Sequence, residues 1–551
     1  MSEVLQQGAG DDVVVPVSLD VVVVGAGFAG LYALHRLRGL GLSVRVLEAG
    51  QGVGGTWYWN RYPGARCDVE SLEYSYSFSE ALQQDWSWSE RYPAQPEILR
   101  YLEHVADRFS LWPDIQLGTR VVEAAWDDAA ARWTIGTEAG ETFSAQWCVM
   151  ATGCLSSSQK PQIPGLERFE GEWHHTARWP QEGVDFTGKR VGVVGTGSTG
   201  IQLIPEVARD AAHTYVFQRT PNFSVPNANR PLDPEVERDW KSRYAQQREV
   251  QRSSMLGVAI APGERAANDL PDEEVRRTLQ ERWEHGGGMP VLLAFRDLLV
   301  DEVANAKAAD FVRAKIRETV RDPAVAEMLI PHEYPIGAKR LCQDEGYFET
   351  FNRDDVTLVD IRSAPIEEIT PTGVRTAGGD YELDVIVFAT GFDALTGALL
   401  SMDIRGREGL TLTEAWGGGP RSYLGLGVAG FPNLFTVTGP GSPSVLSNMV
   451  VSIEQHVDWI AECLDALRDR GVDRIEATPE AQEAWMEHVA EVAGHTLFPR
   501  AASWYVGANV PGKPRVFMPY VGGVGAYRDR CAEIAAGGYE GFTLETGVRA
   551  A

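Results

Sequence analysis

The chain has no C-x-x-C pair: its six cysteines, Cys67, Cys148, Cys154, Cys342, Cys463 and Cys531, are scattered. That spacing suits reduced, buried thiols and offers neither a disulfide framework nor a zinc site, so no metal is expected. Basic residues are also scarce, with 50 Lys and Arg against 77 Asp and Glu and a formal net charge of −27. Such a balance leaves no basic face for nucleic acid or for an anionic membrane. No run approaches the ~20 consecutive apolar residues of a membrane span. The opening stretch MSEVLQQGAGDDVVVPVSLD lacks the charged start and apolar core of a signal peptide, so a cytoplasmic location is expected.

With 551 residues the chain exceeds what one hydrophobic core usually serves, and two or three domains are expected. Glycine patterning marks the first. From Asp20 to Gly50 the sequence reads as strand, turn, helix and strand: DVVVVGAGFAG places Gly25, Gly27 and Gly30 in a G-x-G-x-x-G turn, LYALHRLRGLG is an amphipathic helix, and SVRVLEAG carries Glu48. Glycines at these spacings let a pyrophosphate sit on the helix N-terminus, and an acid ending the second strand accepts hydrogen bonds from a ribose 2′-hydroxyl. The same acid repels a 2′-phosphate, which favours FAD or NAD over NADP.

The pattern recurs. A strand from Val191 to Val194 runs into a second turn with Gly195, Gly197 and Gly200, and the next strand, Thr214 to Thr220, ends in Gln218-Arg219-Thr220. A cation where the first site has Glu48 can pair with a 2′-phosphate, so NADPH is expected here. Two nucleotides on one chain point to a two-nucleotide flavoprotein. Between Gly54 and Ser71 lies a long loop rich in Gly and aromatics; Cys67 stands alone in it, which speaks against a redox-active cysteine pair. From Pro231 to Leu329 the sequence becomes charged with helical spacing. This helical excursion is expected to pack on the nicotinamide domain and to present its charges as a solvated face.

Before the second turn the chain reads F-x-G-x-x-x-H-x-x-x-W-P, with Phe169, Gly171, His175, Trp179 and Pro180. This run resembles the fingerprint of type I Baeyer-Villiger monooxygenases. The loop from Gly54 to Ser71, the stretch PIGAKRLCQDEGYFETFNRDDVTLVDI carrying Lys339 and Arg340, the stretch from Thr438 to Ile460, and Ser503-Trp504-Tyr505 resemble the same group. The match runs from about Val21 to Tyr539 and is nearest to the members acting on phenylacetone and on steroids. It implies an α/β fold of two Rossmann-like dinucleotide-binding domains, the NADP domain inserted into the FAD domain, with a helical excursion. The repeated Ala-Thr-Gly at 151–153 and 389–391 resembles the linkers at which such chains cross between the two. The expected division is an FAD domain over 1–152 and 389–551, the latter also holding the substrate pocket, an NADP domain over 153–225 and 333–388, and the excursion over 226–332.

The resemblance implies chemistry and site residues. NADPH reduces FAD, O2 adds to the flavin at C4a, and the peroxide attacks a ketone to give an ester or lactone. A fixed cation keeps that peroxide anionic, and an arginine suits the task because it gives up no proton at working pH. The family assigns this role to Arg340, with Asp68 orienting the guanidinium. Thr56, Trp57, Asp68, Tyr74 and Trp504 are expected at the flavin, and Lys339 and Arg219 at the NADPH phosphate. Ser444, Val445, Leu446 and Met449 are expected in the substrate pocket. His175 and Trp179 fit a conformational or a chemical role equally. The expected partners are a small ketone and O2, with no nucleic acid, no membrane and a monomeric chain. One rival is a flavin monooxygenase acting on nitrogen or sulfur, whose fingerprint has Tyr or Phe where Trp179 stands. Another is a redox-dependent protein that binds FAD and NADPH without oxygenating anything.

Overall fold

Two sheets organise the protein, and the central strands of both carry short apolar runs that need cover on each face. The computed structural model describes residues 17–158 and 161–547; of the N-terminal stretch weighed above against a signal peptide, residues 1–16 lie outside the described residues. The larger sheet has eight strands in the order Asp403–Arg405, Val121–Asp127, Arg132–Thr137, Thr142–Met150, Val17–Val24, Val44–Leu47 and Ile115–Gln116, with Leu434–Thr436 also pairing Thr142–Met150. The smaller has five parallel strands in the order Val356–Asp360, His213–Gln218, Arg190–Val194, Val385–Phe388 and Glu172–His175. All five lie in sequence between strands of the eight-stranded sheet, so one Rossmann-like unit interrupts the other.

Each nucleotide strand sits inside its sheet. Val17–Val24 lies between Thr142–Met150 and Val44–Leu47, and Val21, Val22 and Val23 are fully buried. Arg190–Val194 lies between Val385–Phe388 and His213–Gln218, with Val191 and Val193 fully buried. Central parallel strands end at the sheet's carboxyl edge, where open α/β folds bind ligands. Helices Phe28–Gly39 and Ser198–Asp210 leave that edge immediately afterwards. Among the described residues no helix is long and apolar enough to cross a membrane, and all six cysteines are buried and free.

Three sequence expectations change. The loop from Gly54 to Ser71 holds one helical turn, Thr56–Trp59, because Gly55 at φ +54° turns the chain into it. The strand ending at the second site stops at Gln218, which leaves Arg219 in the loop beyond. The helical excursion packs on both units: Val275, Leu279 and Val291 join the core around Val191 and Ile201, while Tyr244, Leu256, Val258 and Leu293 join the core around Val21 and Val23. Nor are all its charges solvated, since Arg248 in the helix Tyr244–Ser253 is 4% exposed.

Candidate functional site

The two glycine turns are copies in geometry as well as in sequence. Gly25 and Gly195 have φ of +105° and +110°, and a Cβ on them would fall 2.6 Å from the Ala151 carbonyl oxygen and 2.5 Å from that of Ala389. Only glycine tolerates both the backbone angle and that approach. Each Ala-Thr-Gly thus ends the strand beside a nucleotide strand and presses on the first glycine of its turn. Gly30 and Gly200 lie over the carbonyls of Gly25 and Gly195, where a Cβ would come within 1.8 and 2.2 Å. Gly197 is different. Nothing lies within 4 Å of the place its Cβ would take, so no protein packing requires glycine there, and the open space beside an uncapped helix N-terminus suits a pyrophosphate. In the first turn Gly27 faces Gly55, whose Cα would lie 3.3 Å from a Cβ on Gly27.

Glu48 is buried just after the strand Val44–Leu47, with its carboxylate against the first turn. Its carboxylate accepts from the backbone N–H of Ala26 and of Gly50, each at 2.7 Å. Burial pushes its pKa up, and those two N–H donors oppose the shift. A carboxylate has further lone pairs, so these bonds leave acceptors for a ribose hydroxyl while fixing the orientation of the group.

At the second site, Arg219 lines a cavity of about 190 Å³ together with Thr220, Tyr334, Glu333 and Arg362. Lys339 lies with its ammonium 4.4 Å from the centre of the Tyr334 ring. Burial and the nearby charge of Arg219 hold the Lys339 pKa below its ordinary value, with Glu333 acting against them. The fold therefore brings together two cations that stand far apart in sequence.

Asp68 and Arg340 meet between the two units. Arg340 donates from Nε and Nη2 to the two oxygens of Asp68, both at 2.7 Å, and from Nη1 to the Val445 carbonyl at 2.8 Å. Two parallel bonds fix the plane of the guanidinium, which a lysine does not permit. Burial works against the Asp68 charge, yet the charge and hydrogen bonds of Arg340 outweigh it and hold the carboxyl below its usual range. Burial likewise works against the guanidinium, and Asp68 more than compensates. Tyr505 also faces Arg340; burial pushes its phenol up to about 12, with the Arg340 charge opposing. Trp57 Nε1 donates to the Tyr74 hydroxyl at 3.2 Å, and the two rings meet edge to face. Thr56 is exposed at the start of that helical turn.

The fingerprint residues lie on and around the edge strand Glu172–His175 of the five-stranded sheet. His175 Nδ1 accepts from the Ala177 N–H, and its Nε2 lies 3.2 Å from the Thr390 hydroxyl in the second Ala-Thr-Gly. A Cβ on Gly171 would fall 2.4 Å from the Asp384 carbonyl oxygen and against the Phe169 ring. Trp179 is buried with Tyr62, Ala65 and Phe186, and Pro180 follows it at the edge of that cluster. Trp179 thus packs this unit against the loop that carries Asp68, whereas the His175 and Gly171 contacts lie within the five-stranded unit itself.

Val445 and Leu446 form one apolar cluster with Tyr505, Phe517 and Met518, and Met449 and Trp504 pack against it. Ser444 is buried beside it, with its hydroxyl 3.1 Å from Sγ of Cys154, a member of that cluster, and 3.3 Å from the Thr438 carbonyl. Three residues to which the sequence reading gave no role of their own hold this site in place. Gln343 donates to the Asp68 carbonyl at 2.9 Å, Gln95 donates to the Trp57 carbonyl, and Tyr505 sits beside Arg340. Buried glutamines bonded to backbone have no sequence signature, whereas Tyr505 was within reach because it adjoins Trp504.

Comparison with known proteins places this geometry. Residues 19–248 match the pyridine nucleotide-disulphide oxidoreductase family. Acetone monooxygenase (methyl acetate-forming) of Gordonia sp. (strain TY-5) is 45% identical over 529 residues, covering 96% of this chain and 99% of the relative. A phenazine N-monooxygenase of Lysobacter antibioticus is 43% identical, with 96% and 97% covered, and a Baeyer-Villiger monooxygenase of Pseudooceanicola batsensis is 42% identical, with 94% and 95% covered. The solved structure of an oxidised steroid monooxygenase bound to NADP superposes with a TM-score of 0.92 at 54% identity, covering 96% of this chain and all of that one. With matches of this length and identity, and with two glycine turns flanking a bidentate arginine–carboxylate pair, the chain belongs to the type I Baeyer-Villiger monooxygenases.

Proposed function

We propose that this chain converts a ketone and O2 to an ester or lactone at the expense of NADPH, and that Arg340 and Asp68 form its oxygenating site. One observation carries the reading: the Arg340 guanidinium is held in a fixed plane by both oxygens of Asp68 while also bonded to the carbonyl of Val445, whose side chain lies in the apolar cluster with Leu446. Both dinucleotides fit the residues present. The Gly25 turn with Glu48 suits the pyrophosphate and ribose of FAD, and the Gly195 turn with Arg219 and Lys339 suits NADPH. FAD held there would supply the redox chemistry, accepting the hydride of NADPH and letting O2 deliver one oxygen atom to the ketone while the other leaves as water.

The residues do the rest. Trp57 and Tyr74, locked edge to face, shape one wall of the flavin site, and Val445, Leu446, Met449 and Trp504 exclude water from the ketone. Arg340 supplies a full positive charge where negative charge develops and withholds a proton, because Asp68 stabilises its charged form. No nucleophilic side chain is needed. The acidic composition and six buried, free thiols support a reducing, cytoplasmic setting.

The test is conversion of a size-graded panel of ketones with NADPH under isotopic O2, read by product mass. Esters carrying one labelled oxygen are the expected result; hydrogen peroxide alone would sink the proposal. N-oxygenation is the second reading, favoured by the phenazine N-monooxygenase among the relatives, and phenazines and tertiary amines belong in the same panel. Coenzyme choice has its own test. A charge-assisted contact contributes about 1.5–3 kcal/mol, so Arg219→Ala should raise the NADPH KM by roughly tenfold or more and leave the NADH KM nearly unchanged. An unchanged NADPH KM would place the 2′-phosphate elsewhere.

A further inference from the structure

The helical excursion carries one buried arginine whose contacts all reach outside the nicotinamide unit or back to its own helix. Arg248 donates to the Glu73 carbonyl at 3.1 Å, the Ser75 hydroxyl at 2.7 Å, Gln83 Oε1 at 3.0 Å and Gln251 Oε1 at 2.9 Å. Two of these acceptors, Glu73 and Ser75, stand on either side of Tyr74. The Glu73 carbonyl is shared: Asn448 Nδ2 donates to it at 2.9 Å. Asn448 directly follows the Ser444–Ser447 segment, and its side chain also accepts from the Val450 N–H to cap the helix Met449–Asp469.

The loop after the Arg248 helix completes the brace. Leu256 accepts from the Asn448 N–H at 2.8 Å, and the Ala259 N–H donates to the Glu73 carboxylate at 3.1 Å. Two buried carboxyls, Glu73 and Glu454, lie near Arg248; burial raises the pKa of each and the guanidinium opposes that rise. A guanidinium buried this completely and given four acceptors is a rigid strut, because removing it strands several polar groups at once.

We propose that Arg248 is a positioning residue that sets the spacing between Tyr74 at the flavin and the ketone-facing segment Val445–Met449, acting through the Glu73 carbonyl that it shares with Asn448. This rests on the reading above of Tyr74 and of that segment. The excursion, which carries no reacting group, thereby governs how the ketone is held against the flavin.

The experiment compares Arg248→Met, Arg248→Lys, Asn448→Ala and the Arg248→Met/Asn448→Ala pair in the full-length protein. Two kinds of readout are used: amide hydrogen exchange across 72–78 and 444–450, with and without FAD, and steady-state kinetics with division of NADPH between ester and hydrogen peroxide. Loss of charged hydrogen bonds should raise the ketone KM and lower the ester-to-peroxide ratio by about tenfold in Arg248→Met. NADPH-dependent flavin reduction should stay within about twofold, since the Gly195 turn is untouched, and Arg248→Lys should recover part of the loss. Exchange should rise in both peptides, with and without FAD. Asn448→Ala should shift the same parameters, and the double variant should fall short of the product of the single effects because the two donors share one acceptor. Should Arg248→Met fail to fold, Arg248→Lys and Asn448→Ala carry the comparison. Increased exchange confined to the helix Tyr244–Ser253, with ketone KM and ester ratio unchanged, overturns the inference and leaves the proposed function standing. A wild-type enzyme that oxygenates no ketone overturns both.

Discussion

An Arg340→Ala enzyme should remain yellow with FAD, continue to oxidise NADPH, and release hydrogen peroxide in place of ester. Neither glycine turn touches Arg340, so flavin binding and hydride delivery keep their own contacts. Oxygen transfer loses its fixed charge. Removing one preorganised stabiliser from an active site costs roughly 10²–10³ in rate, and ester formation should fall at least that far. Arg340→Lys should recover little, because an ammonium lacks the fork that meets both Asp68 oxygens and brings a proton that can be given away. Rapid mixing of the reduced variant with O2, together with quantified ester and peroxide, distinguishes these outcomes. Wild-type ester yield from Arg340→Ala would remove the guanidinium from the oxygen-transfer step.

The same substitution has a signature in stability. Arg340 holds the Asp68 carboxyl below its usual range, so their pairing contributes stability above the unfolded carboxyl value of about 3.9. That contribution is lost as pH falls through the lower value in the folded protein. The wild-type advantage over Arg340→Ala should therefore be full near neutrality and shrink in acid, as read by thermal unfolding at several pH values. A gap independent of pH would mean that the two groups are not electrostatically coupled.

Gly200→Val should produce the complementary lesion: an enzyme that holds FAD, accepts electrons from dithionite, and is nearly blind to NADPH. A Cβ at this position would lie 2.2 Å from the Gly195 carbonyl oxygen and 3.0 Å from its carbon, backbone atoms that cannot swing aside as a side chain can. The second turn must open, which spoils the row of N–H groups facing the pyrophosphate. We expect kcat/KM for NADPH to fall by at least about 100-fold, equivalent to roughly 2.7 kcal/mol. FAD should stay because the first turn, around Gly25 and Ala151, belongs to the other sheet. Anaerobic reduction by NADPH and by dithionite, followed by FAD release and quantification, separates the two sites. Loss of FAD along with NADPH would show that the two turns do not fold as independent cradles.

Much of this protein was legible because the relevant physics is local. Runs such as Val21–Val24 and Val191–Val194 bury on both faces and read as central strands, and G-x-G-x-x-G spacing encodes backbone angles that only glycine adopts. Motif resemblance led to Asp68 and Arg340 without any knowledge of their geometry. What the sequence did not reveal depends on contacts between residues far apart along the chain. The bidentate Asp68–Arg340 pair spans 272 positions, and its tie to the Val445 backbone joins a third segment that periodicity cannot place. The repeated Ala-Thr-Gly reads as a crossing, yet only the fold shows Ala151 and Ala389 pressed against the first glycine of each turn. Arg248 makes the contrast plain. In a helix written with charges at helical spacing it reads as a solvated residue, but tertiary packing buries it and surrounds it with acceptors drawn from residues 73, 75 and 83. Local propensity decides whether a segment becomes helix or strand; which of its faces is dry is decided by whatever packs on it, and that partner is chosen by the whole chain.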